Sequence, residues 1–142
     1  MHLDLAEGHA ANADSRVALW TSRTMSGLAS LFLILDGVMK LIKPSFVVTA
    51  TTGLGFPEST IVGIGVTLLI CTLLYLWPRT AILGAILLTG YLGGAIASKV
   101  RVEAPAFDIA FALGMAALIW GGLWLRDPAL RDLFPWRTKG GA

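Results

Sequence analysis

Four long apolar stretches restrict the fold of this chain more than any other feature. They cover about residues 24–42, 59–77, 81–98 and 107–125. Each has roughly the 20 residues that an α-helix needs to cross the hydrocarbon core of a bilayer. In lipid a chain must satisfy its backbone hydrogen bonds internally, and helices do so. The sequence therefore predicts an all-α fold, an integral membrane four-helix antiparallel bundle.

Composition agrees with a single membrane domain. Of the 142 residues, 56% are hydrophobic and only 14% are charged, whereas about a quarter are charged in an ordinary soluble domain. Four spans with short connections use nearly all of this length. We predict a four-helix membrane domain over residues 20–126, a mobile polar tail over residues 1–19 and a polar tail over residues 127–142.

The connections between the stretches predict which helices are neighbours. Only residues 78–80, which include a proline, separate the second stretch from the third, so these two helices should form a tight antiparallel hairpin. The connection over residues 45–57 contains Gly53, Gly55 and Pro57 and is partly apolar. It is too short to span, and we expect an interfacial loop, with a lid over the bundle mouth as the alternative.

Basic residues and tryptophans are divided unequally between the two faces. Four spans place both termini on one face, and seven of the eleven basic residues lie there, namely Arg16, Arg23, Arg79, Arg126, Arg131, Arg137 and Lys139. All five tryptophans also lie at or beyond the helix ends of this face, namely Trp20, Trp77, Trp120, Trp124 and Trp136. Because cytoplasmic loops carry an excess of Lys and Arg, we predict a multi-pass protein of the bacterial inner membrane with cytoplasmic termini.

Small residues recur at four-residue spacing in the third stretch and around the fourth, namely Gly90, Gly94 and Ser98, and then Ala106, Ala110 and Gly114. This spacing lets helices approach closely in lipid, either inside the bundle or in a homo-oligomer, and we expect internal packing. The basic residues are scattered singly at helix ends, which argues against a nucleic-acid partner.

Asp36 is the most informative residue, because it lies inside the first apolar stretch. It is roughly 9 Å from the helix end at 1.5 Å per residue, where an unpaired carboxylate is costly. Lys40 follows four residues later on the same helix face, in the favourable order of acid before base, so we predict an ion pair. The pair either neutralises itself, with Lys40 snorkelling to the surface, or binds a polar headgroup or relays protons.

Further polar groups gather at the same end of the bundle, opposite the termini, which we call the outer end. Lys99 and Asp108 abut apolar sequence on the two sides of one turn and are candidates for a second ion pair. Tyr91 lies near mid-membrane, where its hydroxyl needs an acceptor, and Asp36 is a candidate. The other charges at this end are interpreted as solvated boundary residues, namely Glu58, Arg101 and Glu103.

Catalysis by this chain alone has little support. Both histidines, His2 and His9, lie in the N-terminal tail, so haem ligation across the spans is not expected. The membrane interior offers only Asp36 for certain as a metal ligand, and a metal hydrolase needs three. A single cysteine, Cys71, cannot form a dithiol pair within one chain. We predict no catalytic residue and no metal site.

Four motifs point to a known family, namely Asp36-Gly37-Val38-Met39-Lys40-Leu41, Leu54-Gly55-Phe56-Pro57, Pro78-Arg79-Thr80, and a run from Leu83-Gly84-Ala85 through Leu88-Thr89-Gly90-Tyr91-Leu92-Gly93-Gly94-Ala95-Ile96-Ala97-Ser98 to Val100-Arg101. On these motifs the chain resembles the DoxX-like family of small four-helix membrane proteins over about residues 24–125. The resemblance implies the fold rather than a chemistry. The family takes its name from a membrane subunit of a thiosulfate:quinone oxidoreductase, and related members look like partners of redox systems or assembly factors. Many relatives carry Thr-His where Ser98-Lys99 stands here, so an imidazole proton relay is not expected at this position, whereas ion pairing survives the change.

The leading hypothesis is a non-catalytic protein that binds a small amphipathic molecule, a quinone or a lipid, in an outer-half pocket, as a subunit of a redox complex. Its ligand-binding candidates are Asp36, Lys40, Tyr91, Lys99 and Asp108. The alternative is an assembly factor without a ligand, which contacts other membrane proteins through the faces of Gly90, Gly94, Ala110 and Gly114. A transporter or an enzyme carries less weight, since neither inverted repeats nor a broken mid-membrane helix is evident.

Overall fold

Helices account for all the regular secondary structure in residues 2–133, the part of the chain that the computed structural model describes. Four of them are long and apolar enough to cross a membrane, namely Arg16–Ile42, Glu58–Leu76, Ala81–Arg101 and Ala106–Arg126. These findings confirm the predicted all-α membrane bundle. The predictions for Trp136, Arg137 and Lys139 lie outside the described residues.

Apart from the start of α1, the four spanning helices begin and end close to the predicted boundaries of the apolar stretches. In chain order they are α1 (His2–Ile42), α2 (Ser45–Gly53), a short 3-10 helix (Glu58–Thr60), α3 (Ile61–Leu76), α4 (Ala81–Arg101), α5 (Ala106–Arg126) and α6 (Pro128–Leu133). Pro44, Pro57 and Pro105 each precede a helix with φ between −61° and −53°. A proline fits there because its φ is compatible with a helix start and no intrahelical N–H bond is lost.

The first helix is longer than its apolar stretch. α1 begins at His2, so the backbone of residues 2–19 continues the first span as a helix instead of forming a separate segment. This part of the chain contains five alanines and no proline, a composition that favours helix. The mobility of this tail stays a prediction, and the side chains of His2 and His9 lie outside the described ones.

The connection that we expected to be a loop contains a helix, α2. Its threonine side chains reinforce the helix from within, because the hydroxyls of Thr49, Thr51 and Thr52 each donate to the carbonyl four residues back at 2.8–2.9 Å. The glycines that we expected to interrupt regular structure do so only at the end of α2. The helix ends at Gly53, and Gly55 has a φ of +86°. The assignment of a loop was wrong for residues 45–53.

The four spans pack in a ring. α1 contacts α3 and α5, and α4 contacts the same two helices. The α3–α4 neighbourhood confirms the predicted hairpin. Because α1 and α4 have the same two neighbours, they lie diagonally opposite each other, as do α3 and α5. Leu68, Leu88 and Ile119 are fully buried between them.

Glycines permit the closest approaches between spans. A Cβ built on Gly84 would overlap the Tyr75 backbone in the α3–α4 hairpin, and one built on Gly37 would lie 2.7 Å from Leu69 Cγ where α1 crosses α3. By contrast, a Cβ on Gly90, Gly94 or Gly114 would meet nothing within 4 Å. The expectation of internal packing was therefore wrong for these three glycines. In α4, Leu88 and Leu92 occupy the inner face, which at 3.6 residues per turn puts Gly90 and Gly94 outward.

Candidate functional site

Asp36 and Lys40 form the predicted ion pair inside the outer half of the bundle. Lys40 Nζ lies 2.5 Å from Asp36 Oδ1, and the two side chains are 14% and 35% exposed, respectively. The Lys40 stem packs where α1 crosses α3, since its Cβ would lie 2.8 Å from a Cβ built on Gly65. Lys40 is thus held between helices by its stem and by the carboxylate one turn away.

The direction of the Lys40 side chain excludes simple snorkelling. Side chains on a helix lean toward its N-terminus, and for α1 that direction leads away from the outer end and deeper into the membrane. Lys40 follows it, because its ammonium reaches back to Asp36. A snorkelling lysine would turn toward the headgroups instead. The ion pair therefore keeps both charges inside the outer half of the bundle.

Tyr91 faces the same interior from α4, the helix diagonally opposite α1. It packs against the buried core and lies within electrostatic range of Asp36 and Cys71. Among the described residues its hydroxyl has no hydrogen-bond partner, so Asp36, the candidate acceptor, does not bond to it.

Lys99 and Asp108 form the second ion pair that their positions suggested. Lys99 Nζ lies 3.4 Å from Asp108 Oδ2, which joins the end of α4 to the start of α5. Both side chains are partly exposed, at 25% and 45%. The pair is longer and more accessible than that of Asp36 and Lys40. The structure thus brings the five candidate residues to the outer half of one bundle in two ion pairs and one tyrosine.

The segment after α1 crosses the outer end of the bundle. α2 starts beside the end of α1, and Arg101 at the end of α4 donates to the Leu54 carbonyl at 2.5 Å. Through this bond residues 45–54 connect the outer end of α1 to that of α4, while α2 itself packs against α1 and the 3-10 helix. Val47 and Thr51 are buried on its inner side. We call residues 45–55 the cap.

Two charges that we interpreted as solvated boundary residues have partners here. Arg101 holds the cap through Leu54, and Glu58 Oε1 lies 2.7 Å from Lys43 Nζ. Glu58 remains 60% exposed, so it is a solvated residue at the helix boundary and also forms an ion pair. Glu103 is exposed and has a positive φ of 54°. The contact of Arg101 could not be predicted from the sequence, because its partner Leu54 lies 47 positions away.

A polar network in the other half of the bundle was missed by the sequence reasoning. Ser22 Oγ donates to the Gly122 carbonyl at 2.6 Å, Ser26 Oγ and Tyr75 Oη lie 2.9 Å apart, and Tyr75 Oη donates to the Ile119 carbonyl at 3.0 Å. The network joins α1, α3 and α5. Its only sequence signal is the four-residue spacing of Ser22, Ser26 and Ser30 on one face of α1.

Among the side chains that the structure describes, which begin at Arg16, no group of three or more His, Cys, Asp or Glu residues is arranged to hold a metal ion. The five candidate residues supply two carboxylates, two ammonium groups and a phenol at the outer half. Such a set can donate and accept hydrogen bonds at a polar headgroup.

Comparison with known proteins identifies the family. No curated protein and no solved structure matches the chain. The model of the DoxX-like family matches residues 24–122, a segment that includes the five candidate residues, the cap and nearly all of the four spans. The chain belongs to the DoxX-like family.

Proposed function

We propose that the outer half of the bundle binds a small amphipathic molecule, a quinone or a lipid, and that the protein does so without catalysis as a subunit of a redox complex. The observation that carries this proposal is the Asp36–Lys40 pair, which is turned inward and away from the headgroups. Charges inside a membrane are costly and mark functional sites by default.

The hydrogen-bonding capacity around the pair suits a polar head. Lys40 has three N–H donors, and Asp36 is its only partner among the described residues. Tyr91, across the interior, has a hydroxyl that is not engaged by the described part of the chain. A carbonyl or hydroxyl group between α1 and α4 would accept from Lys40 and bond to Tyr91. Lys99 and Asp108 would hold the outer edge of the same head.

An aromatic seam supports an apolar tail beside this head. The rings of Phe32 and Phe111 pack edge to face with centroids 4.9 Å apart, and those of Phe107 and Phe111 lie 6.5 Å apart. Phe32 is one turn before Asp36 on α1, so the aromatic seam between α1 and α5 starts beside the charges. Phe107 is 76% exposed. A ligand with its head at Asp36 would direct its tail past Phe32, one turn deeper in the membrane.

Native mass spectrometry after mild detergent extraction tests the proposal. The wild-type protein should retain a lipid or quinone mass adduct. The double variant Asp36→Asn with Lys40→Met keeps the net charge and removes the inner pair, and it should lose most of the adduct. A matched control, Lys43→Met with Glu58→Gln, removes the exposed pair at the 3-10 helix and should retain it. No adduct on the wild-type protein, or equal loss in both double variants, would contradict the proposal.

A second candidate function is the assembly of other membrane proteins without a ligand. It is favoured by the outward position of Gly90, Gly94 and Gly114, each with open space where a Cβ would project. Small residues on a lipid-facing surface let another helix approach closely. Gly90→Leu with Gly94→Leu should then remove co-purifying membrane proteins, whereas Gly27→Leu on the open side of α1 should not. Unchanged co-purification in the first variant would exclude this face.

A further inference from the structure

An open apolar groove lies on the lipid-facing side of α3, at the end of the bundle near the termini. It is lined by Ile70, Leu73, Leu74, Trp77 and Thr80 and has a volume of about 320 Å³. Ile70, Leu73 and Trp77 are 53%, 62% and 64% exposed. On a span, apolar side chains with this exposure face hydrocarbon. The groove is therefore open to the acyl chains of the bilayer.

The groove has the direction of a lipid chain. Ile70 and Trp77 are two helical turns apart on α3, about 10 Å along the axis at 1.5 Å per residue. Trp77 lies at the helix end, at the level where tryptophan meets the headgroups, and Ile70 lies deeper. The apolar surface thus runs from the interface toward the bilayer centre, parallel to an acyl chain.

An unpaired cation, Arg79, lies in the chain between Trp77 and Thr80, which line this groove. Arg79 lies in the turn between α3 and α4, two residues after Trp77, and is exposed. Among the described residues it has no ion pair and no hydrogen bond. Neither helix of the hairpin can supply a carboxylate, because no Asp or Glu occurs between Glu58 and Glu103.

The neighbouring cations are engaged differently. The Arg126 guanidinium lies 5.5 Å from the Tyr75 ring centroid and donates to the Tyr75 carbonyl at 3.5 Å, and Arg131 donates to the Leu125 carbonyl at 3.3 Å. Both are tied to protein acceptors, whereas Arg79 is available for an external anion. A ligand that matches an apolar groove beside an available guanidinium has an apolar chain and an anionic headgroup.

We propose that the groove and Arg79 form a binding site for one anionic phospholipid in the leaflet on the side of the termini. Its acyl chain lies along Ile70, Leu73 and Trp77, and its phosphate pairs with Arg79. The site is at the opposite end of the bundle from Asp36 and does not depend on the function proposed above. A zwitterionic headgroup would fit less well, because its own cation competes with Arg79 for the phosphate.

Lipid retention by the full chain in nanodiscs tests this site. The protein is reconstituted with phosphatidylglycerol or phosphatidylcholine of identical chains, released into the mass spectrometer and compared with three variants. Arg79→Gln removes the cation, Ile70→Phe fills the groove with an exposed side chain, and Arg23→Gln is the control on the same face. A phosphatidylglycerol with a photoreactive acyl chain then locates the contact by peptide mapping.

The wild-type protein should prefer phosphatidylglycerol by about five-fold, the effect of one basic residue near a membrane surface. Arg79→Gln should abolish the preference, Ile70→Phe should remove the cross-links to residues 70–77, and Arg23→Gln should change neither. Equal retention of the two lipids by the wild-type protein would overturn the proposal. Cross-links spread evenly over all four spans, or equal effects of Arg23→Gln and Arg79→Gln, would overturn it as well.

Discussion

The ammonium group of Lys40 lies 2.5 Å from the carboxylate of Asp36, and it reaches this position by turning deeper into the bundle. The geometry makes each charge depend on the other. With Asp36 removed, Lys40 would keep a side chain that is only 14% exposed and would lose its only described partner. With both removed, no charge would remain to be compensated.

The first prediction follows from this dependence. Asp36→Asn alone should lower the free energy of unfolding by roughly 1–3 kcal/mol, somewhat less than for a fully buried pair because Asp36 is partly exposed. Adding Lys40→Met should restore much of the loss. Thermal unfolding of the single and double variants in the same detergent measures this, and additive effects would show that the two charges are not coupled.

The second prediction compares two tyrosines. Tyr75→Phe removes a hydroxyl that bonds to Ser26 and to the Ile119 carbonyl, so it should cost about 0.5–1.5 kcal/mol of stability. Tyr91→Phe removes a hydroxyl without a described protein partner and should leave the melting temperature nearly unchanged. The same measurement on both variants provides the control. An equal loss in Tyr91→Phe would mean that its hydroxyl has a partner in the folded protein.

The third prediction concerns two glycines of α4. Gly84→Ala puts a methyl group into the Tyr75 backbone, so the α3–α4 hairpin must open, at a cost of about 1–3 kcal/mol. Gly90→Ala makes the same chemical change where nothing lies within 4 Å and should be neutral in stability. The difference between the two melting temperatures tests the packing of the hairpin. Equal melting temperatures for the two variants would mean that α4 is rotated differently about its axis.

How much of this could be read from the sequence depends on how local each contact is. The Asp36–Lys40 pair follows from helix periodicity alone, and Lys99 meets Asp108 across a short turn. Tyr75 and Ser26 are 49 positions apart, and their contact depends on how three helices are rotated relative to each other. The same rotation decides that Gly84 packs inward while Gly90 faces outward. A spacing pattern shows which residues share a face but not which face is turned inward.

The cap was also only partly predictable. Glycine and proline in residues 45–57 correctly indicated a break in the chain, but the break comes after a nine-residue helix, α2, that the threonines reinforce. The closing contact, from Arg101 to Leu54, joins the end of α4 to the end of α2. Its existence depends on the ring order of the spans, which the sequence indicated only for the α3–α4 hairpin.

The fourth prediction tests how the cap is held. Arg101→Ala removes the hydrogen bond to Leu54, and the backbone amides of residues 45–55 should then exchange with solvent several-fold faster.

Gly55→Ala should also speed exchange in the cap, for a second reason. Its φ of +86° costs about 1–2 kcal/mol for a residue with a Cβ, and that Cβ would lie 2.7 Å from Arg101 Nη2. Gly53→Ala, with open space around it, is the matched control and should leave exchange unchanged. Hydrogen exchange followed by mass spectrometry resolves the cap from the spans, whose protection should be the same in all three variants. Unchanged exchange of the cap in Arg101→Ala would show that Val47 and Thr51, buried beneath it, hold the cap without the arginine.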